Sequence, residues 1–189
     1  MILWHLGMTT LIARYVFRDA GMDLRWLAVG ALLPDIVDKP IASIIWNDVF
    51  HTHRVYAHAL ILPVAGLIVV MLVTRRGTAV RKAAIAMVLG WFVHLVLDGV
   101  WASPEAFLWP FFGADFPEVA GSDFATLVGD MIANPLVWAG EAAGAGYLVF
   151  LWRRHLSEPG SLRRFARSGR IELPLGRSRP GSTGQGPVG

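Results

Sequence analysis

Three apolar runs, each about as long as a bilayer-crossing helix, constrain this chain more than any other feature. A hydrocarbon core of ~30 Å takes ~20 helical residues at ~1.5 Å each. Residues 56–74 (YAHALILPVAGLIVVMLVT), 83–101 (AAIAMVLGWFVHLVLDGVW) and 135–152 (PLVWAGEAAGAGYLVFLW) meet that requirement. Residues 2–17 and 24–38 are shorter apolar segments, expected to be tilted or buried within a bundle. Charged residues make up only 16% of the chain, against ~25% in soluble domains, while hydrophobic residues reach 54%. The expected fold is therefore all-α, a polytopic membrane helical bundle of about five helices over residues 1–156. Residues 157–189 form a basic, Gly/Pro/Ser-rich tail that buries too little apolar surface to offset its ordering entropy. Disorder is expected beyond about residue 171.

Basic residues give an orientation. Arg75, Arg76, Arg81 and Lys82 crowd one short link, and Arg153 and Arg154 follow the last apolar run. Residues 102–134 contain no Lys or Arg but carry Glu105, Asp115, Glu118, Asp123 and Asp130. Positive charge stays inside, so the 75–82 link and the C-terminus are expected in the cytoplasm and 102–134 outside. Residues 163–170 are expected at anionic lipid headgroups or in solvent. The same Arg distribution reads as a topology signal rather than a nucleic-acid groove, so no nucleic-acid partner is expected. The start of the chain lacks a basic region before its apolar run, and reads as a retained helix.

Within this apolar background a few titratable residues stand out. Cysteine is absent, so any metal must be held by imidazole, carboxylate or backbone oxygen. His94 and Asp98 are four apart and share a helix face. Asp35 and Asp38, three apart, do so too if their segment is helical. His58 is expected to open its helix, with His53 in the preceding turn. In the five-helix topology His5, Asp35, Asp38, His58, His94 and Asp98 all reach a similar depth near the external face. Neutral imidazoles and carboxylates together suit Zn²⁺, and also Mn²⁺ or Fe²⁺. Glu141 is an isolated intramembrane carboxylate, and the Arg54 fork suits a phosphate. His51 is expected in solvent, and His155 at the opposite face.

GALLPDIVDKP (30–40), HRVYAH (53–58), GWFVHLVLD (90–98) and LWP (108–110) together resemble the LexA-binding, YdjM-like family of inner-membrane-associated metal-dependent hydrolases. That family shows an early His, an acidic pair, an HR…H block and an H-L-x-x-D helix before a Trp-Pro loop. The ligand pattern is also remotely similar to that of zinc-dependent phospholipase C. The resemblance implies an inner-membrane enzyme with a His/Asp metal site.

The expectation is thus a membrane-bound, metal-dependent hydrolase acting on a phosphoester or lipid-linked substrate at the extracytoplasmic face. His5, Asp35, His53, His58, His94 and Asp98 are the expected ligands. Asp38 or Glu141 would serve as base or support a ligand, and Arg54 would clamp the anionic substrate. The alternative is a non-enzymatic membrane scaffold or regulatory protein in which His/Asp contacts only lock helices.

Overall fold

The computed structural model describes residues 1–19, 21–118 and 124–171. Asp123 and the disorder expected past residue 171 lie outside the described residues. The described residues are helical, with no strand among them. In chain order the helices are α1 (Ile2–Ile12), α2 (Leu24–Pro40), α3 (Asn47–Phe50), α4 (Ile61–Val73), α5 (Ala79–Leu97), α6 (Pro104–Phe107), α7 (Phe124–Ala133), α8 (Pro135–Leu151) and α9 (Ser161–Ser168). Polar residues at helix starts set several of these boundaries. Asp23 accepts from Arg25 N at 3.0 Å to open α2, Thr78 from Arg81 N at 3.3 Å for α5, and Asn134 from Leu136 N at 2.9 Å for α8. Each satisfies a backbone N–H that has no partner inside its own helix.

Glycines let two helix pairs touch backbone to backbone. A methyl group built on Gly90 of α5 would lie 2.1 Å from Leu27 O of α2, and one on Gly30 of α2 only 1.8 Å from Met87 O of α5. On the other side, a methyl on Gly144 of α8 would lie 2.0 Å from Leu3 O of α1, and one on Gly7 of α1 2.5 Å from Gly144 O. Small residues at facing positions are the general device for close helix approach in lipid. Helix α1 also packs on α2, and α4 packs on α5.

Polarity is distributed inside out. Leu72 of α4 is 79% exposed and Leu136 of α8 77%, whereas His5, His58, His94 and Asp38 are fully buried. Such an apolar exterior around a polar interior is what lipid favours and water penalises.

Several expected boundaries move. Residues 56–74 are not one helix: a 3₁₀ turn over Tyr56–His58 precedes α4, so His58 lies ahead of the helix rather than opening it. Ala59 is extended at ψ 133°, and Leu60 N donates to Phe107 O at 2.8 Å, which breaks the helix between His58 and α4. The second run shifts back to α5, stopping at Asp98 because Gly99 turns left-handed at φ 65°. The presumed external loop holds α6 and α7, and the presumed tail holds α9. Among the described residues only α5, with 19 residues, is long and apolar enough by itself to cross a membrane. Ile2–Phe17, Ile61–Val73 and Phe124–Ala133 are apolar but shorter. Lost length at α4 is the clearest cause, since 13 residues rise only ~20 Å.

Gly90→Ala and Gly144→Ala are expected to destabilise the folded protein by about 1–3 kcal/mol each through overpacking. Gly146→Ala, on α8 but with nothing within 4 Å of its added methyl, is expected to leave stability unchanged or raise it. Thermal unfolding in detergent compares the three.

Candidate metal centre

Four separate backbone segments deliver side chains to one buried point. His5 sits in the second turn of α1, and Asp35 near the end of α2. His58 is in the 3₁₀ turn before α4, while His94 and Asp98 close α5. His94 Nε2 and His58 Nε2 are 3.4 Å apart, and Asp35 Oδ1 lies 3.7 Å from His58 Nε2 and 3.8 Å from His94 Nε2. Asp98 completes the ring, with Oδ1 3.5 Å from His5 Nε2 and Oδ2 3.8 Å from His58 Nε2. The His5 and His94 rings stack with centroids 4.1 Å apart. Two overlapping triads, His5–His94–Asp98 and Asp35–His58–His94, each place one atom per residue within 4.8 Å of the others.

The opposite edge of each imidazole decides what the converging atoms are. His94 Nδ1 meets Ala31 O at 2.7 Å, His58 Nδ1 meets Asp38 Oδ2 at 2.7 Å, and His5 Nδ1 meets Met1 O in a short contact. A carbonyl oxygen can only accept, so Nδ1 must carry the proton in the His94 and His5 pairs. Asp38 already faces three backbone N–H groups, from Val55, Ala57 and His58, each at 3.0 Å, which leaves its oxygens as acceptors for His58 as well. With Nδ1 holding the proton of the neutral tautomer, each Nε2 offers a lone pair to a ligand, and all three point toward carboxylate oxygens. No hydrogen bond reaches His5 Nε2 or Asp35 Oδ1, both buried. Converging lone pairs repel unless a cation lies among them.

Spacing and donor set fit a metal. Two atoms each ~2.1 Å from one tetrahedral ion lie roughly 3.4 Å apart, close to the separations here. Imidazoles whose second nitrogen is fixed by an oxygen acceptor are the usual arrangement behind metal-binding histidines. Two cations flank the ring from outside: Lys39 Nζ is 2.7 Å from Asp35 Oδ2, and Arg54 reaches Asp98 Oδ2 at 2.8 Å and Asp98 O at 3.0 Å. A cavity of about 270 Å³ opens onto Asp35, His58 and Asp98, with Lys39 and Arg54 also on its lining. Leu127 and Met131, four apart on α7, and Val137 of α8 form its apolar side.

Other expected site residues are placed differently. Asp38 is committed to four N–H groups, three on Oδ2 and one on Oδ1, and supports His58 from behind. Glu141 accepts from Leu3 N at 3.0 Å and Trp4 N at 3.5 Å, capping the exposed amides that begin α1. It holds the helix that carries His5 and does not line the cavity. His53 lines the cavity but joins neither triad; its Nδ1 meets Ser43 Oγ at 2.9 Å. His51 is exposed, and His155 lies with Arg14, its Nε2 accepting from the guanidinium at 2.9 Å. Sequence reasoning gave Lys39 no place at the site, although its i,i+4 spacing from Asp35 was the available signal. Buried Arg14 was also passed over.

Asp38→Asn is expected to cost about 2–4 kcal/mol, because an amide NH₂ would face N–H donors and leave at least one of them unsatisfied. Chemical or thermal unfolding measures the loss, and an unchanged midpoint would contradict the role assigned to this carboxylate.

The comparisons with curated proteins and with solved structures returned no match. Residues 1–153, which include every ligand candidate and all of α8, match the model of the YdjM inner membrane protein family; the chain belongs to that family and is a protein of the inner membrane.

Proposed function

We propose that this protein is a membrane-embedded, metal-dependent hydrolase with one divalent ion held by His5, His58, His94, Asp35 and Asp98. The observation that carries the proposal is the convergence of three proton-free Nε2 atoms on carboxylate oxygens in a buried place. Zn²⁺ suits this donor set best, with Mn²⁺ or Fe²⁺ as alternatives. Such an ion supplies a bound water of lowered pKa, near ~7, and polarises the bond to be attacked.

The protein's own side chains account for the rest. Asp38, Ala31 O and Met1 O fix the imidazole tautomers. Asp35 turns Oδ1 to the ring and Oδ2 to Lys39, while Asp98 turns Oδ1 to His5 and shares Oδ2 between His58 and Arg54. Those two cations favour a phosphoester or similar anionic group, Arg54 through its planar fork and Lys39 as a point charge. Leu127, Met131 and Val137 favour an apolar chain beside that group, which supports a lipid or lipid-linked substrate. In the topology proposed from the Lys/Arg distribution, the chain crosses the membrane several times, its C-terminus is cytoplasmic and the site opens outward.

The Lys39 and Arg54 ion pairs favour a second reading, since they partly neutralise the carboxylates without any metal. The cluster would then be a polar lock between helices in a non-enzymatic scaffold or regulatory protein. Metal analysis of purified protein separates the two. The hydrolase reading expects about one equivalent of metal per chain in wild type, lost in His94→Ala and His58→Ala and retained in His51→Ala. Added metal is expected to raise the melting temperature of wild type alone. Equal metal content in wild type, His94→Ala and His58→Ala would overturn it.

A further inference from the structure

The far end of the bundle carries a second concentration of charge that the metal centre does not use. Leu24, at the start of α2, donates to Gly169 O at 2.7 Å, which ties the segment after α9 to the end of α2 remote from Asp35. Asp35 lies eleven helical steps beyond Leu24, a rise of roughly 16 Å. Phe165 and Ile171 pack there against Leu24, Leu27 and Leu151, so α9 is seated on the bundle.

Between α9 and the turn that follows α8 lies a small cavity of about 160 Å³. Arg154, Arg164 and Arg170 line it with His155, and Glu158 is the lone acid on its wall. Among the described residues, none of these three guanidinium groups makes a hydrogen bond or ion pair through its side chain. His155 is held in place by buried Arg14, which is itself 3.3 Å from Tyr147 OH. Three partnerless guanidinium groups turned to one small space repel one another, and a multivalent oxyanion relieves that repulsion through charge-assisted hydrogen bonds. The cavity is too small for an extended chain, and the opposing Glu158 disfavours a diffuse polyanion.

We infer that this cavity is a binding site for a single phosphate group, gripped by Arg154, Arg164 and Arg170. The group comes either from an anionic lipid headgroup or from free phosphate; both present the same oxygens. The site stands independently of the hydrolase reading, because none of its residues touches the metal centre.

The test is isothermal titration of the purified full chain in neutral detergent, first with inorganic phosphate and then with short-chain phosphatidate, against sodium chloride at equal ionic strength. Arg164→Gln/Arg170→Gln is compared with Arg163→Gln/Arg167→Gln, which removes the same charge from α9 positions outside the cavity. The expected result is saturable binding, weakened roughly tenfold or more by the first pair and unchanged by the second. Binding of inorganic phosphate identifies the free anion as sufficient; binding of phosphatidate alone identifies a lipid source. Absence of binding for both ligands, or equal weakening by the two double variants, would overturn the site.

Discussion

Three imidazoles, each with its Nδ1 proton spent on an oxygen acceptor, turn their Nε2 atoms toward two carboxylates at one end of the bundle. Electrostatics makes that grouping costly by itself, and the surrounding architecture exists to hold it together. Gly30 against α5 and Gly90 against α2 bring Asp35 and His94 within reach. Gly7 and Gly144 bring α1, and with it His5, against α8, and Glu141 secures α1 by its first amides. Trp91 Nε1, donating to Ala57 O at 2.7 Å, and Leu60 N, donating to Phe107 O at 2.8 Å, hold the His58 turn from both sides.

The same framework explains why apolar surface lies outside. Helices that meet through glycine and through carboxylate-to-amide contacts do not need their large side chains between them. Leucine, valine and tryptophan are then free to face outward, as Leu72, Val73, Leu136 and Trp138 do. Membership of an inner-membrane family gives that exterior its solvent.

Much of the centre was legible before any coordinates. The pairing of His94 with Asp98 follows from helical spacing alone, and the meeting of His5, Asp35, His58 and Asp98 was expected from the alternation of apolar runs. Asp38 takes the supporting one of the two roles expected for it, behind His58, but the main-chain amides that Asp38 and Glu141 also hold were not legible, because a sequence records a carboxylate and not the backbone N–H groups that will come to it. Both are taken by amides more than fifteen positions away. The start of α4 was misplaced for a similar reason, since Ala59 is extended and Leu60 N goes to Phe107 O, a partner far along the chain. Helices α7 and α9 were hidden by composition: acidic or Arg-rich surroundings outweighed Leu127 and Met131 on α7, and Phe165 on α9 with Ile171 after it, which give each its contact.

One carboxylate thus joins two kinds of structure. Asp38 shares its oxygens between the imidazole of His58 and the main chain of Val55, Ala57 and His58. Any positive charge drawing on His58 Nε2 polarises the ring, makes its Nδ1 proton more acidic and shortens the bond to Asp38. That pull is passed to the amides on the same carboxylate. Occupancy of the pocket would therefore be felt one residue layer away, in the buried turn of Val55, Ala57 and His58, whose amides compete with that imidazole for the same carboxylate.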